Sequence, residues 1–471
     1  MSRTAIVWFR RDLRLADNPA LTYALAKTDR IVALSVAPDS AARRAYGAAS
    51  LEWLELSRQA LDASLRQRGA RLRVVSGPAP EALAREVARC NATLVACNRD
   101  WTPSGMLEER AVGAELAAAG VELHVSEGQL LVPPGAVTTG SGTPYSVFTP
   151  FSRAWRGAWI ASAPLPAPER IVGYSAVDQE PWQDALQSPS AATSMAAHWT
   201  PGEAGAHERL QAFVDDALAT YDTDRDRPAL PGTSSLSPHL AWGEITPLQV
   251  AAAVNAAHDE SIAWPFLRQL AWREFSYHVL HAHPQSLYEP LRSEFSAFPW
   301  REDAAGTAAW SAGRTGYPIV DAGMRQLAET GWMHNRVRLV AASFLTKDLL
   351  VPWQTGEAVF RERLVDYDPA ANAFNWQWVA GSGADAAPYF RVFNPATQGV
   401  RFDPDGTYVR RWVPELAALD ARWIHRPHLA PSAELLRAGV VMGETYPAPV
   451  VDHAEARTRA LAALASMRRP R

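Results

Sequence analysis

Hydrophobic and polar positions divide the chain into two differently built halves. Over residues 1–130, short apolar runs typical of buried strands alternate with segments whose apolar residues recur at helical spacing. Parallel sheets covered on both faces have strands of this continuous apolar kind. We therefore predict an α/β domain with a doubly wound, parallel, five-stranded sheet. The predicted strands are residues 4–9, 31–36, 72–75, 93–96 and 122–125.

Two helices in this half have clear signals. Residues 50–68 carry leucines at helical spacing, and Asp17 followed by Pro19 indicates a helix start. The turn after the first predicted strand, residues 10–14, contains no glycine. Because a dinucleotide-binding Rossmann unit needs glycines at that turn, we expect no dinucleotide there.

The remainder of the chain is built differently. Nine prolines punctuate residues 131–199 and would break regular elements repeatedly, which indicates a long connector with one short helix near residues 151–159. From residue 200 to 471, helical periodicity dominates, so we predict a larger all-α domain.

Composition narrows the function classes. Hydrophobic content of 48% and charge of 20% are typical of a soluble protein, and no apolar run approaches the roughly 20 residues of a membrane helix. The N-terminus lacks the layout of a signal peptide. Cys90 and Cys97 lack metal-ligand spacing, so we expect neither a zinc site nor a disulfide framework. Two cysteines without a disulfide framework fit a reducing compartment, so we expect a cytoplasmic location.

The charged and aromatic residues are unusual in kind. Net charge is −4, but the basic residues are almost all arginines, which contact phosphates bidentately. Tryptophan, at 18 residues, outnumbers both Tyr at 12 and Phe at 14. This order calls for an explanation beyond core packing.

The most informative segment is residues 366–378. Its large apolar surfaces are indoles, and they are interleaved with carboxylates and amides that need partners when buried. Such a mixture suits a pocket for a flat heteroaromatic cofactor with a polar rim. The residues concerned are Asp366, Asp368, Asn372, Asn375, Trp376 and Trp378.

Three further segments carry candidate chemistry, each with a plainer alternative. Residues 233–237 place hydroxyls before a helix, with Ser237 as N-cap, which suits a phosphate or equally a simple capped loop. Gln269, Trp272 and Arg273 share one helix face that suits a base and its phosphate, or a surface helix with one buried Trp. In residues 332–339, Asn335 and Arg338 share a face, and Asp366 or Asp368 would pair with Arg338. His334 has no companion ligands at useful spacing, so we interpret it as a structural or surface histidine.

Taken in order, these segments resemble the photolyase/cryptochrome family of flavoproteins. The resemblance rests on residues 8–14, 142–151, 233–237, 272–275, 315–321, 332–338 and 375–378, and it covers nearly the whole chain. It is strongest to the bacterial class I branch that acts on cyclobutane pyrimidine dimers. The expected domains are an antenna domain (1–130), a connector (131–199) and an FAD- and DNA-binding helical domain (200–471).

The resemblance implies an FAD site, with Asn335 facing flavin N5. The residues it assigns to FAD are Tyr221, Thr233, Ser234, Ser235, Leu236, Ser237, Arg273, Arg338, Asp366, Tyr367, Asp368 and Asn372. It also implies a row of tryptophans that carries electrons from the surface, formed by Trp300, Trp353 and Trp376.

The implied substrate is ultraviolet-damaged DNA, with the dimer extruded from the duplex. Trp272 and Trp378 would wall the pocket, and the polar contacts would be Gln269, Asn335 and Arg336, beside Leu339. The implied DNA-facing rim is Arg225, Arg391, Gln398 and Arg401. Gln269 and Leu339 depart from the usual Glu and Met of dimer repair, which puts efficiency in question. The 6-4 photoproduct branch is not expected, because its paired histidines would fall at Asn335 and Leu339.

The implied activity is light-driven dimer repair by electron transfer from reduced FAD, a carbon–carbon lyase reaction. The alternative is a cryptochrome-like light sensor acting through a protein partner, for which a long C-terminal tail is expected. A second, antenna chromophore is implied, a folate or an 8-hydroxy-deazaflavin, and residues around Arg43, Arg44 and Glu109 do not decide between them. We further expect a monomer with no membrane contact and no obligate protein partner, bound to the nucleoid at damage.

Overall fold

A computed structural model describes residues 3–174, 195–386 and 391–467 of the chain. Backbone contacts divide the described residues into two compact units. The first, called unit 1, lies within Met1–Ala219, Ser234–Pro284 and Val365–Asp368. The second, called unit 2, lies within Thr220–Thr233, Gln285–Leu364 and Pro369–Arg471.

Unit 1 contains a five-stranded sheet. Its strands are all parallel and lie in the order β3-β2-β1-β4-β5. The register places Ile6 opposite Val32 on one side and Val95 on the other. The bounds are β1 Thr4–Trp8, β2 Arg30–Val36, β3 Leu72–Val75, β4 Leu94–Asn98 and β5 Glu122–Ser126.

The sheet is stable because its central strands are fully buried and lined with branched apolar residues. Ile6, Leu34 and Val95 pack with Leu83 and Val112 from the covering helices in one cluster. The strand order reverses between β1 and β4. In such sheets the crevice at the carboxyl ends of these two strands is the usual ligand position.

The helices follow in chain order. They are α1 Pro19–Lys27, α2 Ser40–Ala45, α3 Ala48–Gln67, α4 Ala79–Cys90, α5 Pro103–Ala118, α6 Phe148–Ala158, α7 Met195–His198, α8 Glu203–Asp216, α9 Tyr221–Asp224, α10 Ser237–Ala241, α11 Pro247–Ala257, α12 Glu260–Ala282, α13 Ala304–Ser311, α14 Pro318–Thr330, α15 Asn335–Ser343, α16 Trp353–Arg363, α17 Pro369–Ala380, α18 Pro395–Phe402, α19 Thr407–Trp412, α20 Ala421–Ile424, α21 Ser432–Arg437 and α22 His453–Met467. Short 3₁₀ turns are Leu218–Thr220, Pro284–Leu287, Ser293–Ala297, Pro414–Leu416 and Pro427–Leu429, and Phe344–Asp348 is a π-helical turn.

The predicted elements of the first half are confirmed, with strand ends shifted by at most two residues. At α1 the cap is Asn18, whose side chain accepts from Leu21 N. Asp17 instead adopts a positive φ of 48° and accepts a hydrogen bond from Thr246 Oγ1. The helix start is therefore where proline predicts it, but the neighbouring side chain caps it.

Within the predicted connector, only the expected short helix can be compared with the structure, and the connector itself stays a prediction. The short helix expected near residues 151–159 is α6, Phe148–Ala158. Pro181 and Pro189, two of the prolines behind the prediction, lie outside the described residues. Beyond residue 200, the described residues form helices, as predicted, and only one isolated bridge, Met442 with Tyr446, is extended.

Leu83 on α4 is fully buried in the sheet cluster, whereas Leu107 on α5 is 64% exposed. Leu83→Ala should therefore lower the unfolding free energy by about 2–5 kcal/mol through lost burial and a cavity. Leu107→Ala, the matched control, should change it by about 0.5 kcal/mol or less. Urea denaturation measures both, and equal effects of the two substitutions would contradict this account of the core.

Candidate functional site

Helix α12 carries Gln269, Trp272 and Arg273 on one face, as their spacing predicts. All three side chains are partly exposed. Arg273 donates to Gln129 O at 3.4 Å and lies over the Tyr277 ring at 5.2 Å. A glutamine, an indole and a guanidinium are thus presented together on one helix of unit 1.

Glu274, the next residue on α12, fixes this helix in unit 1. Its buried carboxylate accepts hydrogen bonds from Leu131 N at 2.5 Å, Val132 N at 3.0 Å and Trp155 Nε1 at 2.6 Å. Burial raises the pKa of Glu274 to about 7, and these three donors oppose the rise. The carboxylate therefore joins α12, α6 and the loop after β5.

Trp272 is oriented by a stacking partner. The Phe148 ring, at the start of α6, lies parallel to it with centroids 3.5 Å apart and an interplanar angle of 7°. Phe275 meets the same indole edge-on at 6.0 Å. Phe148 lies in the segment 142–151 that carries the family resemblance, but nothing in its spacing relates it to α12, so this stacking could not be predicted.

The segment Val365–Asp368 also belongs to unit 1, and Asp366, Tyr367 and Asp368 are buried. Tyr367 meets Tyr46 edge-on at 6.4 Å. Asp368 Oδ2 accepts from Tyr277 Oη at 2.6 Å and from Arg11 Nη2 at 3.2 Å. The Asp368 carboxylate is therefore held by two partners within the unit, as a buried charge requires.

Residues 233–237 form the expected hydroxyl-bearing turn before α10. Ser235 has a positive φ of 49°, and Ser234 Oγ accepts from Leu236 N at 3.4 Å. The prediction that Ser237 caps the helix is wrong. Leu236 occupies the cap, and Ser237 is the first helical residue because Pro238 fits the first turn from there.

In unit 2, α15 begins at Asn335, whose side chain is exposed. His334 caps this helix, its Nδ1 accepting from Arg336 N at 3.2 Å. Burial lowers the pKa of His334 to about 4, so the ring is neutral near pH 7. This agrees with its interpretation as a structural residue.

Two arginines of α15 have partners within unit 2. Arg336 pairs with Asp226 at 2.5 Å and lies over the Phe402 ring at 4.6 Å. Arg338 Nε donates to Met333 O at 2.8 Å. Leu339 is partly buried on the same helix. Arg336 therefore already has partners within the protein, which the sequence does not indicate.

Trp376 lies on α17 and is buried. Its ring meets Phe360 at 5.0 Å and Trp310 at 6.2 Å, both edge-on. At Gly356 on α16, an added Cβ would overlap the Trp376 ring, so the indole lies directly against that helix. On the same helix α17, Asn372 Nδ2 donates to Glu357 Oε1 at 3.1 Å.

The three tryptophans of the predicted row all belong to unit 2. Trp353 opens α16, one helical turn from the Gly356 position that Trp376 covers. Trp300 packs at the cluster of Phe298 and Leu350, three residues before Trp353. Trp376 and Trp353 are each 2% exposed and Trp300 is partly exposed, so burial decreases along the row.

The remaining predicted residues lie in unit 2 with varied exposure. The Arg225 guanidinium lies over the buried Tyr221 ring at 5.4 Å, and Arg401 lies over Phe402 at 5.1 Å. Both Arg391 and Arg401 are exposed, and Gln398 and Trp378 are partly exposed. The site residues of unit 2 are thus Tyr221, Arg225, Thr233, Trp300, Asn335, Arg336, Arg338, Leu339, Trp353, Asn372, Trp376, Trp378, Arg391, Gln398 and Arg401, and those of unit 1 are Ser234, Ser235, Leu236, Ser237, Gln269, Trp272, Arg273, Asp366, Tyr367 and Asp368.

Buried charges gather at the carboxyl ends of β1 and β4. Arg10 Nη2 donates to Asn98 O at 2.6 Å and lies 3.4 Å from Glu109. Within the described residues, Arg10 Nε and Arg11 Nη1 are buried without a hydrogen-bond partner. Arg43 and Arg44 are exposed at the end of α2.

Two further properties apply to the described parts of the chain. No helix there is long and apolar enough to cross a membrane. No cluster of three or more His, Cys, Asp or Glu side chains there has the arrangement of a metal site.

Comparison with known proteins gives two family models. The model described as "DNA photolyase" matches residues 5–169, and the model "FAD binding domain of DNA photolyase" matches residues 266–466. Together they match most of the chain. The first model covers all five strands, and the second lies entirely within the helical part.

Individual relatives point to the same family as the family models. A deoxyribodipyrimidine photo-lyase of Agrobacterium fabrum is 46% identical, with 98% of each chain covered. Cryptochrome-1 of Arabidopsis thaliana is 36% identical over 98% of this chain and 70% of its own length. A solved class III photolyase of Agrobacterium tumefaciens superposes with a TM-score of 0.95 at 45% identity, covering 99% of this chain and 98% of that one.

A doubly wound α/β unit joined to an FAD-binding helical segment defines a class of flavoproteins. The chain belongs to the photolyase/cryptochrome family.

The low pKa of His334 makes stability depend on pH. Its folded pKa of about 4 lies below the ordinary value of about 6.5, so its contribution is complete above pH 6.5 and is lost as pH falls toward 4. The loss should approach about 1.4 kcal/mol for each pH unit in that window. Urea denaturation at several pH values should show it in the native protein.

His334→Asn keeps a capping side chain without a titrating ring and should remove this component. Substituting the exposed His207 by Asn serves as the control and should retain it. An unchanged pH slope in His334→Asn would contradict the assignment.

Proposed function

We propose that this protein is a deoxyribodipyrimidine photo-lyase that repairs cyclobutane pyrimidine dimers in DNA with light and FAD. The observation that carries the proposal is the tryptophan row of unit 2, in which Trp376 and Trp353 are buried and Trp300 is partly exposed. A chain of indoles leading outward has a use when a buried redox cofactor must be supplied with electrons.

The residues present fit FAD. The hydroxyls of residues 233–237 suit its phosphates, and the buried Asp366, Tyr367, Asp368 and Asn372 suit the polar rim of its ring system. Tyr221 and Arg273 are further residues that we assign to FAD. Asn335, neutral and exposed, is the residue we assign to the ring nitrogen N5. The pairing of Arg338 with Asp366 stays a prediction. When bound and reduced, FAD would supply the electron that splits the dimer.

The protein's own contribution to repair is to extract and hold the lesion. A dimer stacks and pairs poorly, so it costs less to extrude than an intact step. In unit 1, Trp272, one face of which is covered by Phe148, is the residue we assign to stacking on the dimer, and Gln269 is the hydrogen-bonding group. In unit 2, Trp378, Asn335 and Leu339 are the residues we assign to the dimer.

The strand would be held by arginines. Arg225, Arg391 and Arg401 with Gln398 form the proposed rim, and binding should weaken steeply with salt. Arg336 is a weaker candidate for DNA contact than its sequence position suggests, since it is paired with Asp226.

We propose that the subclass is class III. The sequence motifs favoured class I, but the 45% identity and near-complete coverage of a class III structure favour the other subclass. The proposed reaction rests on the deoxyribodipyrimidine photo-lyase relatives and does not depend on this choice.

A light-sensing role is the second candidate. Its support is the 36% identity to Cryptochrome-1 over almost all of this chain. A sensor would bind FAD without repairing DNA, which separates the two candidates experimentally.

A second chromophore is best placed at the β1–β4 crevice. Arg10 and Arg11 have buried guanidinium nitrogens there without hydrogen-bond partners among the described residues, and they would serve an anionic or carbonyl-bearing ring. Folate and 8-hydroxy-deazaflavin both meet that description. The expected monomer, the three-segment division at residues 130 and 199, and localisation to the nucleoid at damage remain predictions.

Repair is tested by mixing the reduced, FAD-loaded protein with ultraviolet-irradiated oligothymidylate under blue light. Absorbance at the thymine band should recover in the light and stay unchanged in darkness. An FAD-bound protein that gives no recovery in the light would favour the sensor.

Trp376→Phe tests the tryptophan row separately. It should abolish photoreduction of bound, oxidised FAD while leaving FAD in place, because the first indole donor is lost. Trp412→Phe, a buried tryptophan of α19 outside the row, is the control and should photoreduce normally. Illumination under anaerobic conditions with a reductant measures both, and normal photoreduction in Trp376→Phe would remove the row from the mechanism.

A further inference from the structure

Arg11 is a buried arginine that none of the family motifs for FAD includes. It follows β1 by three residues, and its side chain is 4% exposed. Its Nε donates to Ala241 O at 3.0 Å, and its Nη2 donates to Asp368 Oδ2 at 3.2 Å. The first strand of the sheet thus reaches the Val365–Asp368 segment inside the same unit.

Asp368 is held from a second direction. Tyr277 Oη donates to the same Oδ2 at 2.6 Å, and Tyr277 receives a bond from Gln129 Nε2 at 3.3 Å. Gln129 Oε1 in turn accepts from Trp101 N at 3.1 Å. A buried chain of hydrogen bonds therefore runs from the loop after β4 to Asp368.

The partners of Asp368 differ in charge. Tyr277 and Gln129 are neutral donors, which orient the carboxylate but cannot balance its charge. Arg11 supplies a full positive charge, and Tyr277, Asp368 and Asp100 raise its pKa against the opposing effect of burial. Removing one partner of such a buried pair leaves an uncompensated charge.

We propose that Arg11 is a positioning residue for the FAD site, which holds Asp368 in place and neutralises its charge beside the cofactor. The proposal rests on the proposed function, in which Asp368 borders the flavin ring. It adds to that function a residue that follows the first strand of the sheet. This residue, Arg11, increases the affinity for the reduced, negatively charged cofactor.

The sign of the effect follows from electrostatics. With Arg11 removed, Asp368 loses this positive partner, and its negative charge disfavours the anionic, reduced cofactor more than the neutral, oxidised one. Arg11→Gln should lower the ratio of reduced to oxidised FAD affinity by roughly tenfold, the order expected of one uncompensated buried charge. The midpoint potential of bound FAD should become more negative.

The control is Arg58→Gln. Arg58 is an equally buried arginine of unit 1, whose guanidinium binds Ser35 Oγ and Val36 O and has no contact with Asp368. Both substitutions should destabilise the protein, but only Arg11→Gln should shift the potential. A merely structural role for Arg11 would leave the potential where Arg58→Gln leaves it.

A charge-removing second substitution guards against loss of folding. Arg11→Gln/Asp368→Asn should be more stable than Arg11→Gln, because it also removes the buried negative charge that Arg11 balanced. Thermal unfolding of the cofactor-free protein measures this difference. If Arg11→Gln does not fold, Arg11→Gln in the Asp368→Asn background should still be tolerated. Equal destabilisation in both backgrounds would overturn the proposal.

Spectroelectrochemical titration of the FAD-loaded variants completes the test. An unchanged midpoint potential in Arg11→Gln, with FAD bound, would overturn the inference and leave the proposed function intact. Failure of the native protein to bind FAD would instead overturn the proposed function.

Discussion

Buried carboxylates with several hydrogen-bond donors hold the functional segments of this protein, and Glu274 is the one on which most depends. It sits on the helix that presents Gln269, Trp272 and Arg273, and it binds two backbone N–H groups and the Trp155 indole. A charge taken out of water is tolerated only when such donors replace its hydration. The helix is therefore fixed by polar contacts at the place where its functional side chains face outward.

The same device recurs elsewhere. Glu244 accepts from Trp53, Ser57 and Gly202 N and contacts His239, which joins α3, α8 and α10. In unit 2, Asp321 accepts from Thr315, Gly316 N and Tyr446. Each network crosses between elements that are distant in sequence. Helix packing alone sets approximate positions, whereas these directional bonds fix register and rotation.

Much of the fold could be predicted from the sequence, because its signals are local. Apolar runs with helical segments between them locate all five strands, and proline locates the start of α1. Motif residues such as Trp376 and Asp368 were found because they break the rule that cores are aliphatic. The cap at α10 was mispredicted because Ser is the locally preferred capping residue, whereas the helix begins one residue earlier, with Leu236 at the cap and no side-chain cap bond.

The missed residues are partners across long sequence distances. Phe148 stacks on Trp272, and Arg11 binds Asp368, with more than a hundred residues between the members of each pair. Phe148 and Arg11 both lie in segments that carry the family resemblance, but their partners could not be predicted, because these roles depend on contacts between residues distant in sequence. Electron transfer explains only part of the tryptophan excess, since Trp8, Trp53 and Trp155 are buried outside the row, and Trp53 and Trp155 donate to buried carboxylates.

Gly356 shows what the tryptophan row demands of its scaffold. A glycine inside a helix is less favourable than alanine by about 1 kcal/mol, so α16 is weaker than it need be. Its missing methyl group is the space that the Trp376 ring occupies. A glycine-to-alanine change is a common way to stabilise a helix, but at position 356 the added methyl group would displace the Trp376 ring. Electron transfer through this tryptophan therefore restricts how far α16 can be stabilised.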